Sequence, residues 1–230
     1  MTPHIVQSPF PVTLLGGGEA TSQDVKEALS HAPAIIAADG GTSMALELGQ
    51  MPIAVIGDMD SIDSESRARI PADRLHLISE QNSTDFDKCL RNIHAPMVLG
   101  VGFTGLRIDH QLAAFSTLLR YPQKPCILLA RDEVIFLAPA EMTIGLPVGS
   151  RVSLFPLRTG RVTASGLRWP LGNMQLKAGA QIGTSNEVAR ETVKLKTDHP
   201  GILVLLPRAA LASAIQAVLA AQLHAPAPAL

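Results

Sequence analysis

Short apolar runs alternate with segments of helical pattern over the first 130 residues of the chain. The runs are rich in Val, Ile, Leu and Ala and are too short for helices, so they predict buried strands. The predicted strands cover residues 11–15, 34–38, 53–56, 75–78, 97–101 and 127–130. The predicted helices cover residues 22–30, 42–48, 64–69, 84–92 and 109–119. This alternation predicts a parallel sheet covered on both faces, in an α/β domain over residues 1–138 that begins with a loose arm at residues 1–10.

The pattern changes after about residue 138, where β-rich runs follow one another without intervening helices. Gly and Pro turns separate these runs, which cover residues 151–157, 161–164, 174–177, 192–196 and 202–206. We therefore predict a second domain over residues 139–230, built as an antiparallel β-sandwich or barrel. An Ala- and Leu-rich segment at residues 208–223 predicts a helix near its end.

Glycine and charged residues follow several of the predicted parallel strands. They occupy residues 16–18, 39–41, 58–61 and 102–107. Ligands of parallel sheets bind beyond the carboxyl ends of the strands, so we expect a binding site at this edge.

Asp58 and Asp60 stand two residues apart, directly after one of these strands. In an extended chain both side chains point to the same side. Two carboxylates about 4 Å apart repel by roughly 4 kcal/mol at an effective dielectric constant near 20. A hard divalent cation usually offsets such repulsion, which favours a metal site. A polar turn without a metal explains the same residue types.

Composition narrows the classes of function. The net charge is −1 and no basic tract is present, which argues against general nucleic-acid or anionic-membrane binding. No apolar run approaches the length of a membrane span, and no secretion signal is visible. Cys89 and Cys126 form neither a disulfide framework nor a metal-binding spacing. We therefore predict that both are packing residues of a protein in a reducing compartment. We expect a soluble cytoplasmic protein.

The common nucleotide-binding motifs are absent. Gly16 and Gly18 begin a dinucleotide fingerprint, but Thr21 stands where its third glycine is required. The spacing from Gly100 to Gly105 fits a P-loop, yet leucine and arginine follow where lysine and a hydroxyl residue are required. Any phosphate chemistry must therefore use carboxylates and a metal ion.

Three further segments carry charged residues at predicted loops. They are Asp39-Gly40-Gly41, Ser83-Thr84-Asp85-Phe86-Asp87-Lys88 and Gly105-Leu106-Arg107-Ile108-Asp109-His110. Each has a structural alternative: Ser83 or Thr84 as a helix cap, Lys88 as a solvated surface charge, and His110 as a polar helix residue. Their clustering at one sheet edge favours a functional site.

The chain resembles the thiamine pyrophosphokinase family from residue 14 to residue 206. In the first domain the resemblance lies in the three segments at residues 38–41, 56–61 and 83–88, and in Arg107-Ile108-Asp109-His110. In the second domain it lies in Gly166-Leu167-Arg168-Trp169-Pro170-Leu171 and Gly183-Thr184-Ser185-Asn186-Glu187.

The resemblance implies a three-layer α/β domain followed by a β-sandwich, in a homodimer with active sites between subunits. It also implies Mg²⁺-dependent transfer of the pyrophosphoryl group of ATP to thiamine, with AMP as the second product. The residues that would surround the magnesium ion and the phosphates are Asp39, Asp58, Asp60, Asp85 and Asp109, with Asp58, Asp60 and Asp85 as metal ligands. The implied substrate contacts are Gly40, Gly41, Ser61, Thr84 and His110, and those to thiamine, from the partner subunit, are Trp169, Ser185 and Asn186.

Several roles stay open at this point. Arg107 and Lys88 can offset phosphate charge, and either Asp85 or Asp109 can take the hydroxyl proton. Trp169 offers an aromatic face to the cationic thiamine, but a tryptophan in the core of the sandwich is an equal alternative.

Two departures from the family pattern concern the phosphate loop: Leu106 replaces a usual glycine and Ala114 replaces a common asparagine. Two other functions compete with the implied one. The first is a pyrophosphokinase that acts on a pterin-like alcohol, and the second is a thiamine or nucleotide sensor without catalysis. All five aspartates are present, which argues against the sensor.

Overall fold

The computed structural model describes residues 4–223 of the chain. These residues fall into two compact units, and the chain passes from the first to the second between Arg131 and Asp132. The sequence places the boundary later, at residue 138. The difference arises because the segment Glu133–Leu137 is a strand that pairs with a strand of the second unit.

Residues 4–131 of the first unit form eight strands and five α-helices. The strands are β1 (Val6–Gln7), β2 (Val12–Leu15), β3 (Ala34–Ala38), β4 (Ala54–Gly57), β5 (Leu75–Leu77), β6 (Ile93–His94), β7 (Val98–Val101) and β8 (Cys126–Leu129). The helices are α1 (Ser22–His31), α2 (Thr42–Glu47), α3 (Ser64–Arg69), α4 (Asp85–Asn92) and α5 (Ile108–Arg120).

Parallel pairing organises this unit, as the sequence predicts. Strands β2, β7 and β8 pair in parallel, and so do β3, β4 and β5. Strand β3 also packs beside β2. The strands β2, β4, β7 and β8 are buried along their whole length, as expected for a sheet covered on both faces.

The chain start differs from the predicted loose arm. Val6 and Gln7 form β1, which pairs in parallel with β6 through Ile93 and His94. Two-residue strands carry no periodic signal, so only the pairing defines them.

The described part of the second unit, residues 132–223, forms eight strands and one α-helix. They are β9 (Glu133–Leu137), β10 (Glu141–Gly145), β11 (Arg151–Pro156), β12 (Gly160–Ser165), β13 (Leu171–Leu176), β14 (Gly183–Glu187), β15 (Thr192–Thr197), β16 (Ile202–Pro207) and α6 (Leu211–Leu223).

Two antiparallel sheets make up this unit. In one, β16 lies between β9 and β11, and β14 pairs with β11. In the other, the strand order is β10, β15, β12, β13, and α6 packs against β10. Burial alternates along β12 and β15, so one face of each strand meets the core. The mixed architecture confirms the predicted fold class: a parallel α/β unit followed by an antiparallel β unit.

Among residues 4–223, no helix combines the length and the hydrophobicity that crossing a membrane requires.

Candidate functional site

Three aspartates meet at the carboxyl ends of two neighbouring strands of the first unit. Asp39 directly follows β3, and Asp58 and Asp60 follow β4. One ligand oxygen from each lies within 4.8 Å of the others, which is close enough to share a cation. We call Asp39, Asp58 and Asp60 the acidic group.

Asp39 is the buried member of the acidic group. It is 1% exposed, and its Oδ1 accepts a hydrogen bond of 2.7 Å from the Gly40 amide, whereas its Oδ2 is buried and has no hydrogen-bond partner among residues 4–223. Burial, followed by the charges of Asp85 and Asp58, raises the pKa of Asp39. An unpartnered buried carboxylate oxygen is costly unless something binds it, so the donor set fits a hard cation.

Two glycines make this placement of Asp39 possible. A Cβ atom on Gly57 would lie 2.8 Å from Cγ of Asp39, and one on Gly41 would lie 2.3 Å from the backbone oxygen of Leu15. Only glycine permits the Asp39 loop to approach the ends of both β2 and β4 this closely. Gly41 is therefore first of all a packing residue, and Gly40 supplies the amide that orients Asp39.

Asp58 and Asp60 converge through a turn, not through an extended strand. Strand β4 ends at Gly57, and Met59 between the aspartates has a φ of +65°. The Asp60 amide lies 3.4 Å from Oδ1 of Asp58, and the Ser61 hydroxyl donates to Oδ1 of Asp60 at 2.9 Å. The sequence prediction of proximity holds, but its assumed extended geometry is wrong.

Lys88 is the internal counter-charge of the site. It is 1% exposed, so the alternative of a solvated surface charge is wrong. Its Nζ donates to Oδ2 of Asp58 at 2.7 Å and to Oδ1 of Asp85 at 3.1 Å. Burial, the largest single effect, disfavours the ammonium form, but the hydrogen bonds to Asp58 and Asp85 and the charges of these two carboxylates together raise the pKa of Lys88. The hydrogen bond from Lys88 is also the main cause that lowers the pKa of Asp58 to about 2.

Asp85 lies beside the acidic group without being one of its three members. It opens α4, bonds to Lys88, and raises the pKa of Asp39 through its charge. The third member of the acidic group is thus Asp39, whereas the resemblance implies Asp85 as the third metal ligand. The assignment of Asp85 as a metal ligand stays a prediction.

Side-chain hydrogen bonds hold the segment that precedes α4 in place. Thr84 caps the helix, since its hydroxyl accepts from the Asp87 amide at 3.3 Å. The Ser83 hydroxyl donates to Glu80, which also accepts from Arg91 at 2.7 Å. The capping alternative is therefore confirmed for Thr84. Ser83 instead links to Glu80 within the loop that precedes α4.

Gln81 and Asp87 have roles that sequence reasoning missed. The Gln81 amide donates to Oδ2 of Asp58 at 3.1 Å, so Gln81 belongs to the site. Asp87 is buried and accepts from Arg120 at 2.6 Å and from the Tyr121 hydroxyl at 3.1 Å, which ties α4 to the end of α5. The only sequence signals were the position of Gln81 just before the charged segment at residues 83–88 and that of Asp87 within it.

Arg107, Asp109 and His110 are exposed at the start of α5. Nη2 of Arg107 donates to Oδ2 of Asp109 at 2.6 Å, and this bond lowers the pKa of Asp109. Leu106 has a φ of +42°, so leucine keeps the left-handed conformation that favours glycine. Ala114, the other departure from the family pattern, is buried in α5.

The second unit presents Trp169 on its surface. Its exposed fraction is 55%, so the alternative of a core tryptophan is wrong. Buried Asn186 fixes the segment: its amide nitrogen donates to the Trp169 oxygen at 2.7 Å, and its Oδ1 accepts from the Trp169 and Glu187 amides. The amide of Ser185, a residue with a φ of +60°, donates to the Ser153 hydroxyl. Asn186 therefore positions Trp169.

Comparison with known proteins finds one family. The protein-family model described as "Thiamin pyrophosphokinase, catalytic domain" matches residues 25–129 of the chain. A second family model, described as "Thiamin pyrophosphokinase, vitamin B1 binding domain", matches residues 141–202. The chain is 32% identical over 206 residues to thiamine pyrophosphokinase 2 of Oryza sativa subsp. japonica, which covers 74% of this chain and 76% of the relative. It is 29% identical over 205 residues to thiamine pyrophosphokinase 1 of Arabidopsis thaliana, with 73% and 76% covered.

A solved structure agrees at the level of the fold. The thiamin pyrophosphokinase of Geobacillus thermodenitrificans aligns with a TM-score of 0.70 at 24% identity, covering 86% of this chain and 97% of that one. The two matching models and the plant relatives carry the conclusion beyond the fold: the chain belongs to the thiamine pyrophosphokinase family of enzymes.

Proposed function

We propose that this enzyme transfers the pyrophosphoryl group of ATP to the hydroxyl of thiamine in a Mg²⁺-dependent reaction that releases AMP. The observation that carries the proposal is the acidic group, with its unpartnered buried oxygen on Asp39 and the buried ammonium of Lys88 beside it. Family membership supplies the reaction, and this geometry supplies a place for a metal ion and phosphates.

Asp39, Asp58 and Asp60 are the residues that would hold Mg²⁺, and Asp85 is the neighbouring candidate that the resemblance adds. A bound Mg²⁺ would neutralise phosphate charge and orient the triphosphate. The chemistry of the donor set supports this assignment, because Mg²⁺ prefers carboxylate oxygens and usually takes one or two of them together with substrate phosphates.

Two cationic side chains would complete charge neutralisation. Lys88 is fixed against Asp58 and Asp85, so it holds both carboxylates in place before substrate arrives. Arg107 is exposed and can turn from Asp109 to a phosphate, because its fork suits bidentate contact. Asp85, which is paired with Lys88, and Asp109, which Arg107 leaves when it turns to a phosphate, are both candidates to take the hydroxyl proton.

The nucleotide and phosphate contacts follow from the same loops. They are Gly40, Gly41, Ser61, Thr84 and His110, as the resemblance implies. Because Gly41 is buried and Thr84 caps a helix, we expect these two to contribute backbone groups or local order.

Thiamine would bind at the exposed ring of Trp169, with Ser185 and Asn186 shaping the segment around it. The match of the vitamin B1 binding model to residues 141–202 supports this placement. We further propose a homodimer in which Trp169 of one copy completes the site of the other. We propose a cytoplasmic location, which the two free buried thiols Cys89 and Cys126 support.

A substrate panel tests the proposal. Purified protein with ATP and Mg²⁺ receives either thiamine or a hydroxymethyl pterin, and the products are resolved by chromatography. A diphosphate product formed from thiamine and not from the pterin supports the proposal. A diphosphate formed from the pterin instead would identify the competing pterin pyrophosphokinase. Thiamine binding without any product would favour the sensor.

Mixing two defective variants tests the shared site. At a thiamine concentration far below the KM of Trp169→Ala, Asp58→Asn and Trp169→Ala would each retain little activity, but randomly mixed dimers should recover about a quarter of wild-type activity, since half are hybrids with one intact site. No recovery from a mixture shown to exchange subunits would contradict a site between copies.

A further inference from the structure

The guanidinium of Arg168 lies over the ring of Trp169. Its Cζ is 5.1 Å from the ring centroid, and its Nη1 is 3.5 Å from Oε1 of Glu187. A positive charge therefore lies between an aromatic face and a carboxylate, which is the usual environment of a bound organic cation.

The backbone segments that carry the ring and the carboxylate are held by hydrogen bonds to a buried side chain. The backbone of Trp169 is bonded to buried Asn186, and the Glu187 amide donates to the same side chain at 2.8 Å. The backbone oxygen of Glu187 also accepts from the Arg168 amide at 2.7 Å. The side chain of Arg168, in contrast, is 60% exposed and ends in the two surface contacts already described.

We propose that Trp169 and Glu187 together form the site for the positively charged ring of thiamine, and that Arg168 occupies this site in the free protein as an internal competitor. The inference rests on the proposed function, because that function supplies the cationic substrate. Arg168 thereby becomes a specificity-determining residue: a ligand enters only if it binds the ring and the carboxylate better than the guanidinium does. Glu187 becomes the carboxylate partner of the substrate cation.

The energetics make the competition measurable. A cation over an exposed tryptophan contributes enough that removing the competitor should tighten thiamine binding about two- to fivefold. We therefore expect Arg168→Ala to lower the Kd for thiamine by that factor. Arg168→Lys keeps a positive charge that can reach the ring, so its Kd should stay closer to that of the wild type.

Glu187 is tested in the background without the competitor. In Arg168→Ala, the further change Glu187→Gln removes only the partner of the bound cation, so it should weaken thiamine binding. In the wild type the same change loosens Arg168 as well, which would obscure its effect on the ligand.

Intrinsic fluorescence provides a direct readout, because Trp169 is the only tryptophan of the chain. Thiamine is titrated into the full-length protein without ATP, so that turnover plays no part. Arg190→Ala is the matched control, since it removes one exposed positive charge from the same unit. Its Kd should equal that of the wild type.

The outcomes distinguish competition by Arg168 from the existence of a thiamine site at Trp169. Quenching by thiamine in the wild type, with a lower Kd in Arg168→Ala and an unchanged Kd in Arg190→Ala, supports the inference. An equal or higher Kd in Arg168→Ala overturns the inference and leaves the thiamine site intact. If neither the wild type nor Arg168→Ala responds to thiamine, the proposed acceptor site and the inference both fail.

Discussion

Nζ of Lys88 lies 2.7 Å from Oδ2 of Asp58, and this hydrogen bond joins helix α4 to the loop after β4. Lys88 is buried among carboxylates, so the first unit carries its own cation at the edge where substrate phosphates are proposed to bind. The ammonium limits the repulsion that Asp58, Asp60 and Asp85 would otherwise exert on one another.

Lys88→Met should destabilise the metal-free protein. The change leaves the carboxylates of Asp58 and Asp85 without their counter-charge, and losing one partner of a buried ion pair costs about 3 kcal/mol. Mg²⁺ should then raise the melting temperature of Lys88→Met more than that of the wild type, since the metal replaces the lost charge. Thermal unfolding in EDTA and in excess Mg²⁺ measures both effects.

Lys124→Met is the matched control for this experiment. Lys124 is a partly buried lysine of the same unit, and it donates to the backbone oxygen of Ile93, remote in sequence from the acidic group. Its loss should lower the melting temperature without enlarging the Mg²⁺ effect. A Mg²⁺-induced shift in Lys88→Met no larger than in the wild type would show that Lys88 does not balance the metal site.

Glu80 gives a pH-dependent prediction. The Ser83 hydroxyl, followed by Arg91, lowers the pKa of Glu80 from 4.5 to about 2. Because the folded pKa lies below the unfolded one, this stabilisation is present above pH 4.5 and is lost as the pH falls toward 2. The melting temperature of Glu80→Gln should therefore lie below that of the wild type at pH 6 and approach it in acid. A gap that stays constant over this range, or one equal to that of exposed Glu65→Gln, would assign no role to the ionised carboxylate.

Much of the α/β unit was predictable because its signals are local. The segment 34–38 is a continuous apolar run, and residues 64–69 follow Asp63, whose side chain caps α3. Strand β14 was not predictable, since Gly183–Glu187 is polar and acquires its conformation by pairing with β11.

The candidate site shows the same division. The motif spacing predicted that Asp39, Asp58 and Asp60 stand at the ends of strands, and in the structure all three follow strands. Spacing contains no information about burial or long-range pairing, so it missed the unpartnered oxygen of Asp39 and the bond from Lys88 to Asp58. The sequence indicated repulsion between Asp58 and Asp60, but it did not reveal that the ammonium of Lys88 reduces this repulsion.

Trp169 and Asn186 should affect thiamine by different routes. Trp169 is exposed, so Trp169→Ala should raise the KM for thiamine more than the KM for ATP, with little loss of stability. Asn186 is buried and holds three backbone groups, so Asn186→Ala should raise the KM for thiamine and also destabilise the fold by about 1–3 kcal/mol. Steady-state kinetics and urea unfolding distinguish the two; equal changes in both KM values for Trp169→Ala would argue against a thiamine contact.

Leu106 tests the departure from the family glycine. Its φ of +42° and its 80% exposed side chain mean that Leu106→Gly relieves backbone strain without opening a cavity. The unfolded chain gains entropy from glycine, so the two effects nearly cancel, and stability should change by less than about 1 kcal/mol. Urea unfolding measures the change, and a larger loss of stability would show that the leucine side chain makes contacts that hold the loop.

The most direct test of the proposed reaction follows the β-phosphorus of ATP. ATP labelled at that phosphorus is incubated with the enzyme, thiamine and Mg²⁺, and the fate of the label is determined by chromatography. The proposed pyrophosphoryl transfer predicts that the label appears in thiamine diphosphate, with unlabelled AMP formed in equal amount. Label retained in ADP, with thiamine monophosphate as the other product, would identify an ordinary kinase and contradict the proposal.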